Sequence, residues 1–250
     1  MIPASDFSRF KREPMAMATG YDFPFAQILE AAGADVILVG DSLANVVLGL
    51  PSTRDVGMDE MALFVGAVAR GARATHIMAD MPFGSDSDPA RAVANGKRFL
   101  TAGAHSVKLE GPKLDVVRAM TDAGIPVMGH IGLLPQTAKS FKQVGRDAAE
   151  RDEVLRNAEA LVAAGAIALL LEHMASDLAA EVTRRVPVPT VGIGAGPDTD
   201  GQVLVLHDFL GMHAGSYPPF ARAFADLRGA ALAGAQAYFQ AVRARTFPGK

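Results

Sequence analysis

The sequence predicts a (β/α)8 barrel from three observations: the length of the chain, a recurring joint between helices and strands, and polar residues at the ends of apolar runs. The chain has 250 residues, close to the usual length of one such barrel. Hydrophobic residues make up 50% of it and charged residues 20%, which is enough for one large core. A doubly wound open sheet, which also alternates strands and helices, is the main alternative.

The joint between predicted helices and strands reads Ala-Gly-Ala or Ala-Gly-Ile. It lies at residues 32–34, 102–104, 123–125 and 164–166. Glycine directly after a helix can adopt the left-handed conformation that ends it, and the chain then enters a buried strand. Repetition of this joint indicates alternating helices and strands, and therefore a parallel sheet.

The predicted elements follow in order without an interdomain linker, so residues 1–250 are interpreted as a single barrel domain. Short runs rich in Val, Ile, Leu or Met predict strands near 15–19, 35–40, 75–80, 105–110, 125–130, 167–172, 188–193 and 210–213. Helices are predicted between them, among them 25–32, 59–70, 89–102, 114–123, 152–164 and 176–186. Residues 220–245 predict a closing amphipathic helical region.

Composition argues against several classes of function. The net charge is −3 with no basic patch, and Trp is absent, so a nucleic-acid partner is not expected. Cys is absent, which excludes disulfides and thiolate metal sites. The N-terminal residues lack the apolar region of a signal peptide, and the longest apolar stretch, 160–171, is too short to span a bilayer. We therefore expect a cytoplasmic protein without a membrane partner.

Five polar residues lie at the ends of predicted strands. Asp41 follows VILVG, Asp80 follows HIMA, Glu110 follows SVKL, His130 follows PVMG and Glu172 follows ALLL. In a parallel barrel the carboxyl ends of all strands open onto one face, so these side chains are expected to converge there. The pattern predicts an enzyme active site.

Three of these residues are carboxylates with hard oxygen ligands. Asp41, Asp80 and Glu110 would repel one another strongly if they converged without cations. A divalent cation such as Mg2+, which prefers oxygen ligands completed by water and substrate, removes that repulsion. Each residue alone is better explained as a helix cap or a partner of Arg, but three at successive strand ends favour a metal site.

Lys108 lies two residues before Glu110, so both side chains face the same side of one strand. A salt bridge between the two and a Schiff-base lysine are both open interpretations. Binding of a substrate carboxylate or enolate oxygen is favoured, because a metal site is predicted nearby.

Glu172 ends the most apolar strand, where burial would raise its pKa and make it a usable base near neutral pH. His130 lies between Gly129 and Gly132 at the same level and is a candidate for contacting the metal ligands without binding the metal itself. Ser42 directly follows Asp41 and is a candidate either for capping the next segment or for binding a substrate oxygen.

Two loops are prominent in the sequence. Residues 137–153 are strongly polar and follow the fifth strand, so they form either a lid over the barrel mouth or a mobile connection. Residues 192–196 resemble part of a dinucleotide fingerprint, but the spacing is wrong, and a tight loop after the seventh strand is favoured.

Taken together, the motifs resemble those of the ketopantoate hydroxymethyltransferase family, in order, from about Met17 to Pro248. The matching segments are 19–22, 38–42, 79–83, 107–111, 129–133 with 135–136, 171–172, 192–196 and 200–208.

The resemblance implies a TIM barrel of the phosphoenolpyruvate/pyruvate type. It implies Mg2+ held through Asp41 and Asp80 with Glu110 as the third acid, substrate contacts from Asp41, Ser42, Asp80 and Lys108, and Glu172 as the proton acceptor. The implied reaction transfers a hydroxymethyl group from 5,10-methylenetetrahydrofolate to 3-methyl-2-oxobutanoate through a Mg2+-stabilised enolate, in pantothenate and coenzyme A biosynthesis. It also implies a homo-oligomer, often a decamer.

The sequence departs from the family pattern at the predicted lid, where residues 141–146 replace a Gly-Gly-Tyr-Lys-Val-Gln-Gly type of stretch, and at Gly20, Gly49-Leu50-Pro51 and Phe64. The metal and base positions are intact. These departures bear on the keto acid and the one-carbon donor rather than on the reaction class. The alternatives are a related Mg2+-dependent aldolase or C–C lyase that uses a free aldehyde such as formaldehyde, and a non-catalytic binding or assembly barrel.

Overall fold

Eight parallel strands close into a barrel in the computed structural model, which describes residues 2–214 and 218–249. The strands are β1 (Met15–Thr19), β2 (Val36–Val39), β3 (His76–Asp80), β4 (Ser106–Glu110), β5 (Val127–Gly132), β6 (Ala168–Glu172), β7 (Thr190–Ile193) and β8 (Gly201–Leu204). They pair in sequence order, and β8 closes the ring onto β1, where the amide of Met15 donates to the carbonyl of Asp200 over 2.9 Å. This closure confirms the predicted barrel and excludes the open sheet.

Helices alternate with most of the strands. They are α1 (Phe23–Ala31), α2 (Leu43–Val46), α3 (Met58–Gly71), α4 (Pro89–Ala102), α5 (Leu114–Asp122), α6 (Ala148–Ala163) and α7 (Ser176–Arg185), with a 3-10 turn at Thr53–Asp55 between α2 and α3. Asp22, Asp88 and Asp147 cap α1, α4 and α6, each accepting a hydrogen bond from a backbone amide three residues later. Sequence-local capping therefore fixes where these helices begin.

A 3-10 helix at Ala4–Lys11 precedes the first strand and packs into the barrel core. Its Phe7 and Phe10 are each 1% exposed and join the core cluster that includes Met17, Leu38 and Val203. Lys11 at its end donates to the carboxylate of Asp200 over 2.9 Å. The start of the chain therefore contributes to the barrel interior, which the sequence did not indicate.

The predicted strand at 210–213 is wrong. The eighth strand is Gly201–Leu204, and the chain at 210–213 instead leaves a short helix, α8 (Leu206–Phe209), through Gly211 at φ +69°. A left-handed glycine ends a helix but does not continue a strand. Between β7 and β8 the chain forms a tight loop, with Gly194 and Gly196 at φ +61° and +84°, as predicted for that glycine-rich segment.

The chain divides into two compact units, Met1–Val203 and Leu204–Lys250. In the second unit, α8 is followed by α9 (Leu227–Arg243), which confirms the predicted C-terminal helical region. The amides of Phe224 and Leu227 donate to the carbonyls of Phe209 and Leu210 and tie the segments together. Within residues 2–214 and 218–249, no helix has the length and apolar character needed to cross a membrane.

Candidate active site

The polar side chains predicted at strand ends converge at the carboxyl end of the barrel. Asp80, Glu110 and Glu172 end β3, β4 and β6, and Asp41 follows β2 by two residues. The parallel register brings Asp80 beside Lys108, Glu110 beside His130, and Glu172 beside Gly132. All of these polar side chains are buried except that of Glu172, which is 16% exposed.

Lys108 forms the shortest polar contact of the site. Its Nζ donates to Oδ1 of Asp80 over 2.6 Å, and both side chains are almost fully buried. The backbone amide of Asp41 approaches Oδ2 of the same carboxylate at 3.4 Å. Lys108 thus pairs with Asp80 on the neighbouring strand, and not with Glu110 in its own strand.

The electrostatics of Lys108 argue against a Schiff-base role. Burial alone would lower its pKa, but the carboxylates of Asp80, Asp41 and Glu110 outweigh burial and raise it. A Schiff base requires a neutral amine as the nucleophile. Lys108 is therefore held as a cation, which suits the binding of an anionic oxygen.

The carboxylates of the pocket bind protons more tightly than usual, because they are buried. Burial raises the pKa of Asp80 to about 6, although Lys108 opposes the rise. Burial also raises the pKa values of Asp41 and Glu110. One lysine does not fully compensate three buried acids, so the pocket has negative charge to neutralise.

His130 lies between two acids. Its Nδ1 is 3.7 Å from Oε1 of Glu110, and its Nε2 is 3.3 Å from Oε2 of Glu172. Burial, reinforced by the nearby charge of Lys108, lowers the pKa of His130 to about 4, so the ring is neutral at pH 7. A neutral imidazole can donate to only one of the two acids at a time.

Glu172 has the properties expected of a general base. Burial raises its pKa to about 7, against the opposing charges of Lys108 and His173. The next residue, His173, has φ +43°, a left-handed conformation that is uncommon for a residue with a side chain. Such strain often occurs at functional sites, and here it follows directly on the candidate base.

Ser42 lies at the start of α2, and its side chain does not cap that helix. Its Oγ is 2.8 Å from the hydroxyl of Tyr21, so the two share a hydrogen bond. The hydroxyl of Ser42 therefore has a fixed position next to Asp41.

Gln136 is a buried residue of the site for which the sequence predicted no role. It lies in the loop after β5, where its side chain donates to Oδ2 of Asp41 over 2.9 Å and its backbone amide donates to Oε2 of Glu110 over 3.1 Å. A lone glutamine in a polar loop has no periodicity or spacing that marks it. Its only sequence signal was the Pro135-Gln136 pair within the family-like motif.

The predicted lid segment is anchored at both ends. Gln136 is buried at its start, and Val144 bridges to the chain beyond β6, with its amide donating to the carbonyl of His173 and its carbonyl accepting from Ala175. Between them, Phe141 is 76% exposed. The last six residues of the segment, 148–153, form the beginning of α6.

The donor set fits a hard divalent cation as an open site. Among the described residues, no group of three or more His, Cys, Asp or Glu side chains is placed so that it could hold a metal ion by itself. Mg2+ does not need such a group, because it usually keeps several waters and takes one or two protein carboxylates together with substrate oxygens. A Mg2+ ion at this place would take one or two of the acids Asp41, Asp80 and Glu110, with water and substrate oxygens completing its shell.

Fold and site together define a class of protein, a (β/α)8-barrel enzyme with an acidic pocket at the carboxyl ends of its strands. A solved structure with the same fold is phosphoenolpyruvate phosphomutase from Streptomyces platensis subsp. rosaceus. It superposes with a TM-score of 0.66 at 19% identity and covers 97% of this chain and 88% of that one.

The chain belongs to the ketopantoate hydroxymethyltransferase family, whose sequence model matches residues 2–250. A relative from Staphylothermus marinus is 44% identical over 99% of this chain and 93% of its own length. Another, from Marinobacter nauticus, is 46% identical over 95% of this chain and 92% of its own length. Both are named 3-methyl-2-oxobutanoate hydroxymethyltransferase.

Proposed function

We propose that this protein transfers a hydroxymethyl group to 3-methyl-2-oxobutanoate and so forms 2-dehydropantoate, with Mg2+ as cofactor and 5,10-methylenetetrahydrofolate as donor. The observation that carries the proposal is the shared pocket of Glu172, whose pKa is about 7, and the buried Lys108–Asp80 pair with Asp41 and Glu110. Family membership supports the reaction, because the relatives are named for this substrate.

The side chains divide into three groups by what they do. Lys108 and the hydroxyl of Ser42 bind the oxygens of the oxoacid, and Glu172 removes the proton from C3. The bond electrons remain on the substrate as an enolate. Water opens one C–N bond of the methylene bridge of the donor and leaves an N-hydroxymethyl group. C3 of the enolate then attacks that carbon and breaks the second C–N bond, whose nitrogen takes up the proton held by Glu172. A cation held by Asp41, Asp80 and Glu110 would supply Lewis-acid polarisation of the keto group. With water, the products are 2-dehydropantoate and tetrahydrofolate.

Proton removal can be tested without the one-carbon donor. In D2O with Mg2+, the protein is expected to exchange deuterium into C3 of 3-methyl-2-oxobutanoate, as followed by NMR. Absence of exchange would count against this substrate. EDTA should stop the exchange, and borohydride with substrate should trap no adduct at Lys108.

The donor is identified in a second step. Methylenetetrahydrofolate and formaldehyde are supplied separately, and 2-dehydropantoate is measured. Product from formaldehyde alone would favour the aldolase alternative. If deuterium exchanges into C3 but neither donor gives product, the site removes the proton as proposed, and the proposed hydroxymethyl transfer is wrong.

We propose further that the part of the predicted lid that precedes α6, residues 137–147, closes over the substrate.

We propose also that the protein acts in the cytoplasm as a homo-oligomer, a decamer by family resemblance. Support for assembly comes from α9, where Leu232, Tyr238, Phe239 and Val242 are between 43% and 54% exposed. Light scattering on the purified chain measures the mass directly, and a monomer at micromolar concentration contradicts the assembly.

A further inference from the structure

We infer that Gln136 is a positioning residue, which orients the Asp41 and Glu110 carboxylates for a divalent cation. The inference rests on the proposed function, because it takes the acidic cluster as a cation site. It concerns a residue that had no predicted catalytic, substrate-binding or metal-binding role.

The contacts of Gln136 join the ends of three strands. Its Nε2 donates to Oδ2 of Asp41 over 2.9 Å and to the carbonyl of Met81 over 3.0 Å. Its backbone amide donates to Oε2 of Glu110 over 3.1 Å. Asp41 follows β2, Met81 follows β3 and Glu110 ends β4, so one buried residue from the loop after β5 contacts all three.

These contacts fix the orientation of the Gln136 amide. Its Nε2 carries two hydrogens, and each has one acceptor, the Asp41 carboxylate or the Met81 carbonyl. A flipped amide would place its own oxygen against both acceptors, which is unfavourable. The amide plane therefore determines where the plane of the Asp41 carboxylate can lie.

Gln136 engages only one oxygen of each acid. Oδ2 of Asp41 and Oε2 of Glu110 accept from it, and it makes no contact with Oδ1 of Asp41 or Oε1 of Glu110. A lysine or arginine at this position would neutralise the acids and compete with a metal. A neutral donor orients them and leaves their charge in place.

The test measures cation binding by the substrate-free protein, with Mn2+ as the probe, because free Mn2+ gives an EPR signal that the bound ion loses. Gln136→Met keeps the length of the side chain and removes both side-chain donors. Its Kd for Mn2+ is expected to rise by about 10- to 100-fold, the usual effect of losing a hydrogen-bond partner of a metal ligand. Gln27→Met, on an exposed position of α1, is the matched control and should bind as the wild type does.

A second readout separates positioning from general packing. Saturating Mg2+ should restore the C3 exchange rate of Gln136→Met, because the loss is one of affinity. A rate that stays low at every Mg2+ concentration overturns the inference. Should Gln136→Met fail to fold, which a melting curve in EDTA shows, Gln136→Leu replaces it.

Failure of the inference and failure of the proposed function give different results. If wild type and Gln136→Met bind Mn2+ equally tightly, the role of Gln136 is overturned, but the cation site remains supported. A wild-type protein that binds no Mn2+ overturns both.

Discussion

Glu172 is the proposed base for proton removal, and its position combines burial with partial access. Its side chain is 16% exposed, its pKa is about 7, and His130 lies 3.3 Å away. An acid in this state holds and releases a proton within the physiological range.

Replacing Glu172 with Gln should abolish C3 exchange while leaving the oxoacid bound. Glutamine keeps the size of the side chain but cannot accept the proton, so the rate should fall by at least about 100-fold, within the usual range for a general base. Substrate binding is measured by calorimetry with Mg2+ present. Exchange at the wild-type rate would show that another group removes the proton.

The pH dependence should report the same residue. Only the ionised carboxylate accepts a proton, so kcat/KM for exchange should rise with pH through about 7 and then level off. The profile is recorded from pH 5.5 to 8.5 at constant ionic strength. A rate that falls across this window would mean that the essential group acts as an acid.

Asp80→Asn should weaken binding of Mn2+ by more than about tenfold, because it removes a negative charge and leaves Lys108 without its carboxylate partner. The EPR titration measures this directly. Asp152→Asn, on the exposed surface of α6, is the control. Unchanged binding in Asp80→Asn would show that Asp80 is not a ligand of the proposed metal site.

At the same scale, the sequence predicted the strand-end residues of the site but not the contacts that orient them. Asp41, Asp80, Glu110 and Glu172 were detectable because each ends an apolar run, and parallel strands bring such ends together. The partner of Lys108 was not detectable, since it depends on the register between β3 and β4. Gln136 lies in a loop, where no period relates sequence to position.

At the scale of the elements, the segment just before the N-terminal 3-10 helix is held to β3 by a buried histidine. Nδ1 of His76 contacts the carbonyl of Ile2 at 2.9 Å, and Nε2 contacts Oγ of Ser106 at 2.7 Å. Burial lowers the pKa of His76 to about 4. The folded protein therefore keeps this ring neutral where an unfolded chain would protonate it.

This difference predicts a loss of stability in mild acid. Between pH 6.5 and 4 the unfolded chain binds a proton at His76 that the folded chain does not, so stability falls as pH falls, by about 3 kcal/mol in all. In urea denaturation, the free energy of unfolding of His76→Asn should not show this loss between pH 6.5 and 4. Between pH 7 and 8 the free energy of unfolding should change with pH in the same way for both proteins. Equal pH slopes of that free energy below pH 6.5 would contradict the assignment.

The elements themselves were predicted unevenly. The Pro89–Ala102 helix and the Met15–Thr19 strand have the predicted bounds, because a cap or an apolar run marks them locally. The eighth strand was misplaced because two apolar runs follow each other, and only Gly201–Leu204 is aligned with β7. The 3-10 helix at Ala4–Lys11 was missed because its two buried Phe residues form no helical stripe long enough to recognise.

At the scale of the whole molecule, the barrel depends on the seam between β8 and β1. A Cβ placed on Gly201 would lie 2.6 Å from both Cβ and the carbonyl oxygen of Met15. The carbonyl oxygen belongs to the backbone and cannot move aside as a flexible side chain can. Alternation of strands and helices predicts a parallel sheet, and the absence of a side chain at Gly201 allows β8 to approach β1 closely enough to close it.

Gly201→Ala should therefore destabilise the protein by about 1–3 kcal/mol through overpacking at the seam. Gly234→Ala is the matched control: the added methyl meets nothing within 4 Å in α9, and it should stabilise that helix by about 0.5–1 kcal/mol. Denaturation by urea measures both. A Gly201→Ala protein as stable as wild type would mean that the seam adjusts freely.

Closure of the barrel also affects the order in which parts of the chain can fold during translation. Phe7 and Phe10 leave the ribosome long before Val203, yet all three pack in one cluster. At usual rates of translation the delay is on the order of 10 to 40 s. During that time the cluster that covers these two aromatic rings is incomplete, because Val191 and Val203 have not yet been made. We expect the first dozen residues to dock last, once the ribosome has released the eighth strand.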